Sequence, residues 1–246
     1  MNPDQDIIPI LKLALRYHRE GNLDYAKYVY QHVLGIDPRN ADAIHLLGVS
    51  VYQSEQYDIA VSLITEAIQI DPTKPLFFTN LGNAFQKQGE LEKSTQAYQK
   101  AIQIQPDYAD AYFNLGNSLR EQGKLEESTH ALRKAIQIQP DHADAHFNLA
   151  MLLLLQGHFV EGWEKYEWRW NSSLKSQKRD FKRPLWDGTA LGGKSILIYA
   201  EQGFGDSIQF ARYIDLFSDA DSSIIVACQP ELKSLFKGID RIDILV

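Results

Sequence analysis

A single cysteine, Cys228, among 246 residues leaves no partner for an internal disulfide. Long apolar runs are equally scarce: the longest, Leu149 to Leu155, has seven residues, against the ~20 that a membrane-spanning helix requires. Positive charge is in deficit, with 25 Lys and Arg against 32 Asp and Glu and a net charge of −7. No sequence-wide attraction to phosphate backbones or anionic lipid is therefore expected. The opening MNPDQDIIPI carries acids where a secretory signal carries Lys or Arg. Together these absences predict a cytoplasmic protein with neither nucleic acid nor membrane as a partner. What is present, 44% hydrophobic and 23% charged residues, excludes a disordered or collagen-like polymer and suffices for one or two packed units.

The chain repeats itself every 34 residues. Pro38, Pro72, Pro106 and Pro140 are 34 apart and follow GID, QID, QIQ and QIQ. Counting back places unit starts near residues 7, 41, 75, 109 and 143, so five units account for residues 7 to 176. The seventh position is always Leu (Leu13, Leu47, Leu81, Leu115, Leu149) and the eighth is small (Ala14, Gly48, Gly82, Gly116, Ala150). A small eighth residue lets two helix backbones approach closely. Position fifteen is Gly21, Gly89, Gly123 and Gly157, with Glu55 in the second unit, where glycine permits the left-handed turn that ends a helix. The proline near the end of each unit cannot continue the second helix. Each unit reads as a helical hairpin.

This pattern resembles the tetratricopeptide repeat (TPR), a 34-residue helix-turn-helix that stacks into a superhelix because one pair cannot bury its own apolar face. The resemblance implies a mainly α fold of five repeats over residues 1–176, with a concave groove lined by the first helix of each pair. Family groove positions carried onto this sequence are Asn80, Asn83, Gln86 and Lys87 in the third unit, Asn114, Asn117, Arg120 and Glu121 in the fourth, and Asn148 in the fifth. Asparagine recurs at one height. A carboxamide accepts from a backbone N–H and donates to a backbone C=O at once, so such a row suits an extended peptide or protein segment. The row is similar to the asparagine ladder in the array of O-linked N-acetylglucosamine transferase. Hydration of a polar surface, or bonding between neighbouring helices, is the alternative use of the same residues.

The ends depart from the pattern. Lys12 and Leu46 occupy the ladder position of the first two units, and Ile8, Leu11 and Leu15 make the first inner face apolar, as the terminus of a solenoid requires. In the fifth unit the second helix, HFVEGWEKYEWRWN, carries Trp163, Tyr166, Trp168 and Trp170, an aromatic stripe expected to pack against the next domain of the chain. Residues 177–194 read as a linker. From Asn171 to Lys194 there are six basic residues against two acidic, with no helical period. A formal Walker-A string, GTALGGKS from Gly188 to Ser195, stands in reversed context: a phosphate loop needs a strand before it and a helix after it, whereas here the strand-like SILIYA comes after.

Residues 195–246 alternate strand-like and helix-like runs: SILIYA, SIQFARYIDLF, SIIVAC, PELKSLF and DILV. This order predicts a βαβαβ unit with a parallel, right-handed, Rossmann-like sheet. Its site would lie beyond the carboxyl ends of the strands, at Glu201 to Asp206, where Gly203 and Gly205 let a ligand come close. The dinucleotide fingerprint is incomplete, since Ile208 occupies the third glycine position. LIYAEQGFGDSIQFARYI, with RPLWDG upstream, resembles the start of heptosyltransferase-like domains of glycosyltransferase family 9, two-lobed GT-B enzymes. That resemblance implies Asp206 as a candidate general base. The alternative is that Asp206 caps a helix beginning at Ser207.

A complete GT-B enzyme needs a further donor lobe, so this chain alone is expected not to transfer sugar. No cofactor is expected in it, a nucleotide-sugar donor belonging to a longer protein. The open sheet predicts homodimerisation through residues 195 to 246. His142 and His146 have metal-compatible spacing, but the nearby Asp144 is turned away on the helix, and no metal site is expected. Two functions are anticipated: an interaction scaffold holding an extended partner segment, or the N-terminal part of a glycosyltransferase whose repeats recruit the acceptor.

Overall fold

The computed structural model describes residues 3–172, 181–201, 203–217 and 221–246. The chain divides into two compact units, residues 1–175 and 176–246. The first unit is a TPR-like superhelix of ten helices in five hairpins among the described residues: α1 (Pro3–Arg19) with α2 (Leu23–Ile36), α3 (Ala41–Gln53) with α4 (Tyr57–Ile70), α5 (Pro75–Lys87) with α6 (Leu91–Ile104), α7 (Ala109–Glu121) with α8 (Leu125–Ile138), and α9 (Ala143–Leu155) with α10 (Phe159–Tyr166). Four of the five first helices begin at the residue where the repeat does. The exception is α1, which starts at Pro3 rather than near residue 7 and carries Pro9 in its interior.

Local chemistry explains the punctuation. Each of the residues Asp37, Asp71, Gln105 and Gln139 precedes a repeat proline and is extended, with ψ between 91 and 96°. The proline ring crowds the α conformation of the residue before it. Between the helices of a pair, Gly21, Gly89, Gly123 and Gly157 have φ of 77 to 83°, and Glu55 holds the same left-handed conformation at φ 61°. The sequence exception at position fifteen is thus a conformational strain, not a change of turn.

Within each hairpin the eighth position sits against one large side chain of the second helix. A Cβ on Gly48, Gly82 or Gly116 would come within 2.8 Å of Ile64, 2.5 Å of Tyr98 or 2.8 Å of Leu132. Those three side chains are fully buried. Between hairpins, Leu47 joins Ala14, Ala26 and Tyr30 in one cluster, and Ala145 and Leu149 join Leu132 and Ala135 in another. The apolar face of each pair is therefore covered by the next. Successive first helices also come close, α3 to α5 and α5 to α7, so the first helices of the middle hairpins share one face of the array.

The last hairpin ends early. After α10 the chain tightens into a 3₁₀ turn, Glu167–Trp170. At the small, buried position held by Val33, Ala67, Ala101 and Ala135 in the earlier units stands Arg169. Its guanidinium lies 4.6 Å from the ring of Tyr166 and 4.2 Å from that of Trp170, and pairs with Glu167 at 2.6 Å. Trp168 stacks on His146 at 4.0 Å and 5°. The aromatic stripe is thus engaged within its own hairpin.

The second unit contains a three-stranded parallel sheet in the order β1 (Ile196–Tyr199), β2 (Ile224–Ala227), β3 (Ile244–Leu245). α11 (Phe204–Ala211) and α12 (Lys233–Phe236) lie in the two connections. Ile196, Ile224 and Val226 pack on one face against Ala211, Ile214, Leu232 and Phe236. The helix expected over SIQFARYIDLF is shorter, α11 giving way to a 3₁₀ turn at Ile214–Leu216. The expected linker is described from residue 181 onward; its residues 177–180 lie outside the described residues. Among the described residues no helix is long and apolar enough to cross a membrane.

Candidate functional site

The inner face of the repeat array is where the structure gathers most of the sequence-predicted residues. Asn80, Asn114 and Asn148 stand at the sixth position of α5, α7 and α9, each half-buried. Two of them bridge to the preceding repeat. Asn80 Nδ2 lies 2.9 Å from Nε2 of His45, and Asn148 Nδ2 donates to Asn117 Oδ1 at 2.7 Å. Among the described residues Asn114 makes no side-chain hydrogen bond.

His45 was invisible as a site residue in the sequence, yet it holds the first asparagine of the row. It is buried and stacks on Phe77 at 4.2 Å. Burial depresses its pKa from 6.5 to about 4, so at neutral pH the ring is uncharged. With the Asn80 amide N–H₂ donating, His45 Nε2 is the acceptor and its proton sits on Nδ1.

Asn83 and Gln86 are held from the other side of the hairpin. The Tyr98 hydroxyl lies 2.8 Å from Asn83 Oδ1 and 3.1 Å from Gln86 Oε1. Burial keeps this phenol protonated far into the alkaline range and therefore able to donate. Gln86 Nε2 in turn donates to Glu121 Oε1 at 2.7 Å on α7. The carboxamides of neighbouring repeats are thus set by side chains beneath them, leaving the exposed ammonium of Lys87 and guanidinium of Arg120 at the surface. Tyr98 carried a legible signal, being the large residue opposite Gly82; His45 carried none.

At the array's start the apolar inner face remains partly open. Ile8 and Lys12 are exposed, Leu11 and Leu15 half-buried. A shallow depression of about 410 Å³ is lined by Lys12, Leu15, Arg16, Arg19 and Glu20. The histidine pair serves two separate purposes. His142 Nδ1 accepts from the Ala145 N–H at 3.3 Å as a helix cap, while His146 is buried with Nε2 donating to the Pro140 carbonyl at 2.9 Å.

In the second unit, Gly203, Gly205 and Asp206 lie past β1 at its carboxyl end, and all three are exposed. The helix begins three residues earlier than anticipated, at Phe204 with Gly203 as N-cap. Asp206 therefore lies inside the first turn and is not the cap, a correction of the capping alternative: the glycine-rich loop is consumed as helix. Ser207 Oγ is 3.1 Å from the Gly203 carbonyl and 3.2 Å from Oε1 of Gln229, just past β2, so the first turn of α11 meets the segment after β2. Gly188 to Ser195 leads directly into β1. No helix N-terminus stands after it to collect amides around a phosphate.

Residues 87–119 and 116–157 match the family model described as TPR repeat. Residues 87–157 carry tetratricopeptide repeats. FlbA of Caulobacter vibrioides is 36% identical over 86 residues, a stretch covering 33% of this chain and 14% of that relative's length. Among solved structures, MamA superposes with a TM-score of 0.58 at 24% identity, over 66% of this chain and 95% of its own. PilF of Pseudomonas aeruginosa gives 0.66 at 21%, over 74% and 80%. YrrB, described as a TPR protein with an unusual peptide-binding site, gives 0.53 at 21%, over 68% and 87%. At these identities the likeness to the solved structures is one of fold.

Proposed function

We propose that this TPR protein is an interaction scaffold whose groove holds an extended segment of a partner protein. The observation that carries the reading is the row of half-buried carboxamides, Asn80, Asn114 and Asn148, one per repeat on the inner helices. Asn80 and Asn148 each use one amide group toward the neighbouring helix, which stops the carboxamide rotating and presents its oxygen in a fixed direction. The interhelical role foreseen as the alternative is then the support for the binding role. A carbonyl oxygen at each repeat can take one backbone N–H of an extended chain, independent of that chain's side chains. The description of YrrB as a peptide-binding TPR protein agrees with such a use.

The test is binding of partner segments to the variant Asn80→Ala, Asn114→Ala, Asn148→Ala, measured by calorimetry. The reading expects affinity to fall by at least about tenfold, since each lost hydrogen bond contributes ~0.5–1.5 kcal/mol. Unchanged affinity in a folded triple variant refutes it.

A second reading has the repeats deliver an acceptor to a glycosyltransferase-like part. It is supported by the parallel order β1-β2-β3 and by the exposed Gly203, Gly205 and Asp206 at the carboxyl end of β1. Asp206 is then the candidate base, and the nucleotide-sugar is bound by a lobe outside residues 195–246. Turnover of a nucleotide-sugar by this chain alone contradicts that division of labour. Pairing of two copies through the edges of the sheet belongs to the same reading, and light scattering that finds only monomer counts against it.

A further inference from the structure

The five hairpins share one backbone plan, so each is a reference for the others, and the fifth breaks the plan at exposed positions. At the ninth position of the first helix the units carry Leu15, Val49, Asn83 and Asn117, and the fifth returns to an apolar residue, Met151, 43% exposed. At the thirteenth, Arg19, Gln53, Lys87 and Glu121 are succeeded by Leu155, 70% exposed. At the second residue of the second helix, Asp24, Asp58, Glu92 and Glu126 are succeeded by Val160, 89% exposed. One exposed aliphatic is ordinary on a protein surface, but this hairpin has three, two of them at positions that are polar in every earlier unit. Core packing does not account for them. The core of this hairpin already has Leu149, Leu152 and Leu153 on the other side of α9, all buried.

Asn148, Met151 and Leu155 succeed one another at spacings of three and four residues, so they share a single stripe of α9. We propose that Met151 and Leu155 form a hydrophobic anchor for one large apolar side chain of the extended segment whose backbone the asparagine row holds. This inference rests on the groove reading above and names the chemistry of its occupant. Continuity selects that occupant, because the apolar pair prolongs the same stripe that carries the last asparagine. Charge selects the rest of it. Lys87 and Arg120 are exposed cations, one in each of the two preceding units, and neither has an ion pair among the described residues. The segment therefore carries acidic or neutral polar residues over the third and fourth repeats and an apolar residue over the fifth.

The experiment is fluorescence anisotropy of the full chain with three fluorescein-labelled probes of about twelve residues built from Ser, Thr, Asn and Asp. One is wholly polar, one has Leu-Phe near its N-terminus, and one has Leu-Phe near its C-terminus. The protein variant is Met151→Asn with Leu155→Gln, which installs neutral polar side chains found at the same positions in the third unit (Asn83) and the second (Gln53). One apolar-ended probe is expected to bind wild type at least about tenfold tighter than the polar probe, the advantage of burying one Leu-sized side chain. That advantage is expected to vanish in the double variant while polar-probe binding stays unchanged. If neither apolar-ended probe gains, or if the gain survives in the double variant, the anchor is overturned. The Asn80→Ala, Asn114→Ala, Asn148→Ala variant separates the two readings: should it bind the polar probe normally while the double variant still abolishes the gain, the ladder fails and the anchor stands. Absence of binding by every probe overturns both.

Discussion

Replacing Gly82 with alanine tests the packing rule and the groove together. A Cβ at this position would stand 2.5, 2.7 and 2.8 Å from Cε1, Cδ1 and Cζ of Tyr98, well inside contact distance. The ring has no solvent to retreat into, because Tyr98 is fully buried. Its hydroxyl is also tied to Asn83 and Gln86, so a displaced ring loosens two groove residues. Overpacking costs ~1–3 kcal/mol and the weakened hydroxyl bond ~1 kcal/mol; alanine's helix preference over glycine returns ~1 kcal/mol. In the first hairpin Ala14 occupies this position and packs in one buried cluster with Tyr30, so a hairpin can open slightly to admit the methyl group, which favours the lower half of the range. The expected net loss is about 1–2 kcal/mol. At a denaturant dependence of about 2 kcal/mol per molar urea, the unfolding midpoint falls by roughly 0.5–1 M. A midpoint at or above wild type would show that the glycine is not required by close approach, and the physical account of the eighth position would be wrong.

Other expectations are simpler. Glu55→Gly relieves a left-handed residue at φ 61°; strain of ~1–2 kcal/mol less the entropy cost of glycine, ~0.5–1 kcal/mol, leaves a gain of about 0.5–1 kcal/mol, visible as a melting temperature raised by a few degrees, and a lower one contradicts the strain. His45 titrates at about 4 when folded against 6.5 unperturbed. Above pH 6.5 both states are neutral and its contribution is complete; each unit below removes ~1.4 kcal/mol until about pH 4, some 3 kcal/mol in total. Urea titrations at pH 7 and pH 5 are expected to show this slope in wild type and a flatter one in His45→Asn. Arg133 meets both carboxylate oxygens of Glu161 at 2.9 and 3.1 Å, half-exposed, and Glu161→Gln is expected to cost less than ~1 kcal/mol; a larger loss in thermal unfolding would mean the pair is part of a wider network.

Particular residues show how far the sequence was legible. The asparagine row could be numbered from the repeat alone, because helical position is a matter of counting. Its hydrogen bonds could not, because Asn80 meets a histidine 35 residues away and Asn148 an asparagine 31 residues away; such partners depend on how one hairpin is rotated over the next. Glu55 illustrates the converse. Its residue type argues against a left-handed turn, and the turn forms anyway, since both flanking helices are fixed by packing that outweighs the strain at one residue. The start of α11 differs from the sequence expectation for a local reason. Two glycines within EQGFGD suggest a loop, but glycine inside a helix costs only ~1 kcal/mol, less than the packing of Ala211 and Ile214 on the sheet recovers.

The sequence by itself determined the number of hairpins, their length and their turns, because a period of 34 with proline, glycine and small residues at set positions is a rule about backbone conformation, and backbone conformation is local. Only the tertiary structure decided which carboxamides are locked and which apolar side chains stay exposed, because interhelical hydrogen bonds and burial arise from contacts between residues some thirty positions apart, which no single helix contains.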